Sequence, residues 1–218
     1  MKNDYFQVIR GGLNSTFQDH GRENLYHIGI PFSGAMDNRN FLIANRLIDN
    51  DKNDPILEFA FQGPCLKYYG YNRHVVIAGD VNFILIRDKG IQEKGQCYKT
   101  IEINNGDIID IISTNKSVYG YFSVSGGFKL NKVWDSFSTT IRARVGPNNG
   151  TKLFDGQEIT LNKIKSISNR KLNFVNSKIE FIRVLKGTNI DYFSEGSINN
   201  FFSEEFEVTK LTDRMGMR

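Results

Sequence analysis

The sequence predicts a mainly β protein with one prominent helix. Short runs rich in Ile, Val, Phe and Tyr recur between residues 56 and 124, and this composition is typical of strands. Turn residues, among them Gly79-Asp80 and Ser125-Gly126-Gly127, separate these runs at regular intervals. A clear helical spacing of apolar residues begins after Met36. This pattern favours a closed or folded-over β-sheet over alternating β-α-β units.

The one strong helix is predicted over 37–49. Asp37 can cap its N-terminus, and its apolar face is formed by Phe41, Ala44, Leu47 and Ile48. Asn45 lies beside this face, where a buried amide needs hydrogen-bond partners. We expect Asn45 either to tie the helix to the preceding loop or to contact a substrate.

Strands are predicted on both sides of the helix, over Tyr5–Ile9, Ile56–Phe61, Leu66–Tyr69, His74–Ala78, Asn82–Arg87, Gln96–Ile103, Ile108–Ile112 and Val118–Val124. Glu58 shares a strand face with Ile56 and Ala60, so its carboxylate is either exposed to solvent or deliberately placed. Another turn that enters a strand is expected at residues 155–159.

The stretch 162–173 is low in large apolar residues and predicts a linker. Beyond it we expect strands over Lys178–Leu185 and Phe206–Leu211, and helical turns over Ile190–Phe193 and Ile198–Phe202. The chain is therefore divided into a β-rich lobe, residues 1–165, and the start of a second β-rich lobe, residues 173–218.

The composition is that of an ordinary soluble globular protein. The 218 residues include 28 basic and 24 acidic ones, for a net charge of +4, and the basic residues are scattered. A nucleic-acid partner is therefore not expected. Cys65 and Cys97 are far apart in the sequence, which fits a reduced, intracellular protein. Neither a signal peptide nor a membrane-spanning apolar run is present, so we expect a cytoplasmic location without membrane contact.

Several common catalytic and metal-binding motifs are missing from the sequence. His20, His27 and His74 are dispersed without zinc-ligand spacing, and no metal site is predicted. The sequence also lacks a Walker-type phosphate loop and a Gly-x-Ser-x-Gly elbow. Activity on a nucleotide or an activated acid would depend on arginines, backbone amides and a shared site.

Two neighbouring segments, Gln18–Arg22 and Gly29–Asp37, hold the polar groups best suited to a functional site. Together they place two acids, one arginine, one serine and three glycines on turns. Asp19 and Arg22 could instead form an internal salt bridge that fixes the first segment. Asp37 could act purely as a helix cap, although capping does not exclude a role in chemistry.

An ordered series of short motifs continues from these segments to the end of the sequence. In it the chain resembles the family formed by the C subunits of 5-oxoprolinase, which are relatives of the carboxyltransferase half-domain of urea carboxylase and of a sporulation-kinase-inhibitor antagonist. The matching residues are Gly12, Thr16-Phe17-Gln18-Asp19, Gly21-Arg22, Gly29-Ile30-Pro31, Ser33-Gly34-Ala35-Met36-Asp37, Ala44-Asn45, Leu57-Glu58, Gly63-Pro64, Gly106-Asp107, Ser125-Gly126-Gly127, Ser138-Thr139 and Asp213-Arg214-Met215-Gly216.

The resemblance implies cyclophilin-like β-barrel lobes. Members of this family ordinarily continue well beyond the Asp-Arg-Met-Gly motif, so we expect the second lobe to be incomplete. The sequence departs from the family at Asp135, where a glycine is usual. It also has Gly146-Pro147 and Gly150-Thr151 where the family has Gly-Gly and Gly-Arg, so this loop lacks the family's arginine.

The resemblance also implies one component of an ATP-dependent 5-oxoprolinase, a hydrolase that opens the lactam of 5-oxo-L-proline to give L-glutamate. Its partners would be proteins similar to the A and B subunits of 5-oxoprolinase (the A-type and B-type partners), and ATP would be used in the assembled complex. Phosphorylation of the lactam oxygen would supply a leaving group that water can displace.

Two alternatives remain open. The chain could be a carboxyltransferase component that acts on urea or a related amide with carboxybiotin, or a non-catalytic antagonist that binds a kinase-inhibitor protein. The hydrolase is favoured because the sequence has no Met-Lys-Met motif of a biotin carrier.

Such a site needs cations for anionic oxygens and carboxylates for proton transfer. The expected catalytic residues are Asp19, Arg22, Asp37 and Arg214, with the arginines as bidentate cations and the aspartates as base or orienting acid. The expected substrate-binding residues are Gln18, Ser33, Gly34, Asn45, Glu58, Ser138, Thr139, Met215 and Gly216. Ser33 has no neighbouring histidine and is expected to donate a hydrogen bond, not to act as a nucleophile. The hypothesis requires Arg22 and Arg214 to meet in one cleft.

Overall fold

The computed structural model describes residues 4–165, 167–173 and 180–207. The chain divides into two compact units, residues 1–173 and residues 174–218, and each is described by itself. Within the described part, the first unit contains helix α1 (Asn38–Leu47), and its strands are β1 (Tyr5–Arg10), β2 (Thr16–Gln18), β3 (Ile56–Ala60), β4 (Cys65–Tyr69), β5 (Arg73–Ala78), β6 (Val81–Ile86), β7 (Gln92–Lys94), β8 (Ile101–Ile103), β9 (Ile108–Thr114), β10 (Tyr119–Val124) and β11 (Glu158–Thr160).

The strands form two sheets in which all paired neighbours are antiparallel. One sheet has six strands in the order β11-β1-β4-β9-β6-β7, and the other has five in the order β2-β3-β10-β5-β8. This arrangement confirms the predicted mainly β fold with one prominent helix.

The main core lies between the two sheets. Phe6 and Tyr68 from the six-stranded sheet and Phe59 and Phe122 from the five-stranded sheet are buried in it. The rings of Phe6 and Phe122 meet edge to face, with 5.5 Å between their centroids. Because alternate residues of a strand point to the same face, each sheet turns one apolar face towards the other.

Helix α1 covers the outer face of the five-stranded sheet. Phe41 and Ala44 of the helix belong to one buried cluster with Ile56 of β3 and Tyr121 of β10. The five-stranded sheet is therefore covered on both faces where α1 crosses it. For this reason all five residues of β3 are buried, including the acidic Glu58.

Most predicted elements of the first unit form within two residues of the expected ends. The run Gln96–Ile103 is an exception, since only its last three residues pair as β8. Tyr98 adopts a φ of 58°, which interrupts an extended strand. The sequence did not predict β2 or β7, and α1 ends at Leu47, two residues before the predicted end at residue 49.

The described residues at the end of the predicted linker form hydrogen bonds with other parts of the first unit. The amide of Leu172 donates to the carbonyl of Tyr98 at 2.9 Å, and that of Thr100 donates to the carbonyl of Arg170 at 2.9 Å. Arg170 also forms an ion pair with Asp49 at 3.2 Å. Residues 167–173 of the predicted linker therefore pair with the first unit, and the two compact units divide at the end of this stretch.

In the second unit, a 3₁₀ turn at Ile190–Tyr192 and helix α2 (Glu195–Ser203) confirm the two predicted helical turns. The strand predicted over Lys178–Leu185 does not form in residues 180–185, and residues 178 and 179 lie outside the described residues. Of Phe206–Leu211, only 206 and 207 are described, and neither is in a strand. Across the described ranges, the helices are too short or too polar to cross a membrane.

Candidate functional site

The two glycine-rich segments predicted as the site lie against each other. The Arg22 amide donates to the Phe32 carbonyl at 2.7 Å, and the Ala35 amide donates to the Asp19 carbonyl at 2.9 Å. A third stretch, residues 133–140 (the 133–140 loop), contacts both segments. The site is thus built from parts of the sequence more than 100 residues apart.

The Asp19 carboxylate organises the 133–140 loop. It is 5% exposed, and one oxygen accepts from the Gly21 amide at 2.9 Å and the Ser136 hydroxyl at 2.7 Å. The same oxygen accepts from the Ser138 hydroxyl at 2.5 Å, and the other accepts from the Phe137 amide at 2.6 Å. Four donors therefore satisfy this carboxylate.

Arg22 holds the same loop through a different set of atoms. Its guanidinium donates to the carbonyls of Val133, at 3.4 Å, and Ser138, and to the hydroxyl of Thr140 at 3.4 Å. Burial lowers the pKa of Arg22, and the negative charge of Asp19 opposes that effect. Among the ion pairs of the described residues, none joins Asp19 to Arg22. The alternative of an internal salt bridge is not realised, because both side chains bind the 133–140 loop.

Ser33 and Gly34 lie where the second segment meets the 133–140 loop. The hydroxyls of Ser33 and Thr140 are in hydrogen-bond contact. Gly34 adopts a φ of 84°, and a Cβ there would lie 2.7 Å from the His20 carbonyl oxygen. The close approach of the two segments therefore requires glycine.

Gln18 and Thr139 form a buried polar contact beside β3. The Gln18 amide nitrogen donates to the Thr16 hydroxyl at 2.9 Å and to the Thr139 carbonyl at 3.0 Å. Within the described ranges, the Gln18 Oε1 and Thr139 Oγ1 atoms are buried without a hydrogen-bond partner. Ser138, which precedes Thr139 in the sequence, is also fully buried.

A second polar cluster joins β3 and β10 to the start of α1. The Tyr121 hydroxyl donates to the Glu58 carboxylate at 2.9 Å and accepts from the Asp37 amide at 2.6 Å. The same Glu58 oxygen accepts from the Met36 amide at 2.7 Å. Burial, and next the charge of Glu58, raise the pKa of Tyr121 far above its usual range, so the hydroxyl stays protonated.

Sequence reasoning missed Tyr121. The available signal was that Tyr119 and Tyr121 share the outer face of a strand that follows the predicted helix. That signal does not reveal the acidic partner on β3, since Glu58 lies 63 residues away in the sequence.

Asp37 caps α1, as predicted. Its two carboxylate oxygens accept from the backbone amide of Asn40 at 3.0 Å and from the side-chain amide of Asn40 at 2.7 Å. The Asn40 side chain in turn accepts from the Tyr98 hydroxyl at 2.8 Å. The cap is therefore part of a wider network that fixes the end of the second segment.

Asn45 is fully buried and has a structural set of partners. It donates to the Asp54 carbonyl at 2.9 Å and accepts from the Ser123 hydroxyl at 2.9 Å. The helix is thus tied to the loop after it and to β10. The expectation that Asn45 binds the preceding loop is wrong.

The predicted site residues fall into two clusters joined through residues 35–37. The first contains Gln18, Asp19, Arg22, Ser33, Gly34, Ser138 and Thr139, and the second contains Asp37 and Glu58. Asn45 belongs to neither, because its partners are Asp54 and Ser123. Arg214, Met215 and Gly216 lie outside the described residues, so a cleft between Arg22 and Arg214 stays a prediction. Within the described ranges, no three His, Cys, Asp or Glu side chains are arranged to hold a metal ion.

Comparison with known protein families gives a match over most of the chain. The family described as carboxyltransferase domain, subdomain A and B, matches residues 28–218. Urea amidolyase of Saccharomyces cerevisiae is 28% identical over 226 residues, which cover 97% of this chain and 12% of that protein. The C subunit of 5-oxoprolinase from Haemophilus influenzae is 28% identical over 206 residues, which cover 94% of this chain and 64% of that protein.

The structural comparison agrees with the sequence comparison. The crystal structure of TTHA0988 superposes with a TM-score of 0.86 at 26% identity, over 99% of this chain and 42% of that one. The chain therefore spans less than two thirds of the length of each of these three proteins.

Proposed function

Since this chain belongs to the carboxyltransferase domain family, subdomains A and B, as its motifs predicted, we propose that it is a component of an enzyme that processes an amide. More specifically, we propose a component of an ATP-dependent 5-oxoprolinase that opens 5-oxo-L-proline to L-glutamate together with its A-type and B-type partners. The similarity to the C subunits of 5-oxoprolinase supports this assignment.

The observation that carries the proposal is that hydrogen bonds hold both ends of the segment 33–37, at Ser33 and at Asp37. Hydroxyls of Ser33 and Thr140 lie at one end of this segment, and the Asp37 carboxylate lies at the other. Hydroxyl donors can stabilise an oxyanion, and a carboxylate can accept a proton, as lactam opening requires.

Asp37 keeps more capacity for proton transfer than Asp19 does. Asp19 accepts four hydrogen bonds and is 5% exposed, whereas each oxygen of the half-buried Asp37 accepts one from Asn40. We therefore assign Asp37 as the proton acceptor, and Asp19 and Arg22 as positioning residues that hold the 133–140 loop.

The Arg22 guanidinium is not available to the phosphates of ATP. A triphosphate needs several cations or free backbone amides, and the buried guanidinium of Arg22 already donates to the 133–140 loop. We derive no step through the nucleotide on this chain, and we propose that one of the partner proteins binds it.

Reconstitution tests the proposal. The chain is mixed with purified A-type and B-type partners, and glutamate is measured in the presence of 5-oxoproline and ATP. We expect turnover only from the complete mixture, with a drop of about 100-fold or more for Asp37→Asn. Absence of glutamate from a mixture that forms a stable complex would contradict the proposal.

A second candidate is a carboxyltransferase component for urea or a related amide. It is favoured by the 28% identity to the yeast urea amidolyase, which equals the identity to the Haemophilus protein. In that case, urea carboxylation would depend on a biotinylated carrier and on biotin carboxylase. Loss of activity on addition of avidin would separate this reaction from the 5-oxoprolinase reaction.

A further inference from the structure

The first turn of α1 contains an asparagine whose position needs an explanation. Asn40 is the third residue of the helix and is buried, and asparagine is a poor helix former. A glutamate or glutamine at this position usually reaches back to the backbone amide of the cap residue. Here that amide, of Asp37, donates to the Tyr121 hydroxyl at 2.6 Å. The Asn40 side chain binds the Asp37 carboxylate instead.

This contact exceeds what a helix cap requires. The cap is complete when one Asp37 oxygen accepts from the Asn40 backbone amide at 3.0 Å. The Asn40 side chain additionally donates to the other oxygen at 2.7 Å. With both oxygens bound, rotation of the carboxylate about its last torsion is restricted. Since each carboxylate oxygen can accept two hydrogen bonds, each keeps one position for a further donor.

Tyr98 determines which way the Asn40 amide faces. The Tyr98 hydroxyl donates to the Asn40 Oδ1 atom at 2.8 Å. Burial raises the pKa of Tyr98, and a backbone hydrogen bond from Gly79 to its hydroxyl opposes that effect. Because the hydroxyl accepts from Gly79, its single proton is directed to Asn40. The Asn40 Nδ2 atom is thereby turned to Asp37.

The backbone of Tyr98 is held in a conformation that bulky residues seldom adopt, with a φ of 58°. Its amide donates to the Ile77 carbonyl at 2.8 Å, and its carbonyl accepts from the Leu172 amide at 2.9 Å. Its side chain packs against the buried cluster that contains Phe41 of α1. Backbone strain that surrounding contacts maintain is typical of functional sites. Contacts from two other parts of the chain therefore fix the residue that orients Asn40.

We propose that Asn40 and Tyr98 (the orienting pair) are positioning residues for Asp37. Resting on the proposed function, the pair holds the carboxylate in the orientation in which it accepts the proton during lactam opening. A catalytic group has to lie within about 0.5 Å of its productive position. Misplacement by about 1 Å can lower the rate about 100-fold. The orienting pair acts through Asp37, and the backbone cap does not depend on it.

Kinetics of the reconstituted mixture with the A-type and B-type partners test this role. Tyr98→Phe removes one hydroxyl and leaves the backbone cap in place. We expect kcat to fall about tenfold, with KM for 5-oxoproline within about twofold of the wild-type value. Asn40→Leu is similar in size and removes the donor itself, so kcat should fall about 100-fold. Tyr68→Phe is the matched control, because it removes a buried hydroxyl that contacts Asp4 and should keep the wild-type kcat.

The Asn40 side-chain amide reports on the same geometry without any partner. Its exchange with solvent is measured by ¹H–¹⁵N NMR on the full chain. We expect slow exchange in the wild type and in Tyr68→Phe, and exchange at least about tenfold faster in Tyr98→Phe. A general loss of stability would affect both variants, whereas loss of the Tyr98 contact affects only one.

The outcomes for the orienting pair and for the reaction are separable. Equal Asn40 exchange in Tyr98→Phe and wild type would overturn the inference, as would a wild-type kcat for Tyr98→Phe in a mixture that turns over. Faster exchange in Tyr98→Phe, with no glutamate from a complete wild-type mixture, would reject the 5-oxoprolinase assignment and retain the orienting pair.

Discussion

Asp19 and Arg22 hold one loop through separate hydrogen bonds, the carboxylate by accepting from Ser136 and the guanidinium by donating to Val133. Val133 and Ser136 are the two end residues of the turn that contains Trp134 and Asp135, so Arg22 binds one end of this turn and Asp19 binds the other. Two residues predicted to be catalytic therefore fix the loop beside the candidate site.

The first prediction concerns the stability that Asp19 supplies. Asp19→Ala leaves the donors of Ser136, Phe137 and Ser138 without their acceptor in a buried setting. We expect the free energy of unfolding to fall by about 3 kcal/mol or more, as measured by urea denaturation. Glu158→Gln, an exposed acid on β11, should change it by less than about 0.5 kcal/mol.

A double-mutant cycle extends this test to Arg22. Because both side chains bind the 133–140 loop, the losses from Asp19→Ala and Arg22→Ala should be non-additive, by about 0.5 kcal/mol or more. Additive losses would show that the two residues stabilise the loop independently.

The second prediction concerns Tyr121. Tyr121→Phe removes the hydroxyl that donates to Glu58 and accepts from the Asp37 amide. We expect a loss of about 1–3 kcal/mol and faster hydrogen exchange of the Asp37 amide. Tyr68→Phe is the matched control, since its buried hydroxyl contacts Asp4 in another part of the fold. Equal exchange at Asp37 in both variants would contradict the network.

The third prediction separates two effects of glycine substitution. Gly29 and Gly34 have similar left-handed φ angles of 79° and 84°, but a Cβ on Gly29 meets nothing within 4 Å. Gly29→Ala should therefore lower stability by only about 1–2 kcal/mol, from the backbone alone. Gly34→Ala adds a Cβ 2.7 Å from a carbonyl oxygen and should lower it further. Equal losses by thermal unfolding would show that the segments separate easily.

Local features of this fold could be predicted from the sequence, and α1 is the clearest case. Asp37, Phe41 and Ala44 lie within eight residues, so the cap and the apolar face appear in a short window. The strand containing Glu58 and the face it shares with Ile56 followed in the same way from alternation.

The partners of the site residues could not be predicted, because they are distant in the sequence. Asp19 binds groups 117 to 119 residues away, and a spacing of that size carries no periodic signal. β2 was missed for a related reason. It has only three residues, all of them buried, so it shows no alternation of apolar and polar residues. Its pairing with β3 is what makes it a strand.

The fourth prediction concerns the thiol of Cys65. Burial, and next the charge of Asp110, raise its pKa from 9.0 to about 11, with Arg10 opposing. At pH 8 the thiolate fraction is then about 100-fold lower than for an ordinary thiol, and reaction with Ellman's reagent should be slower by about that factor. Since the raised pKa belongs to the folded state, the stability it contributes is complete below pH 9 and is lost between pH 9 and 11. A Cys97→Ser variant isolates the Cys65 signal, and equal labelling rates with and without urea would contradict this assignment.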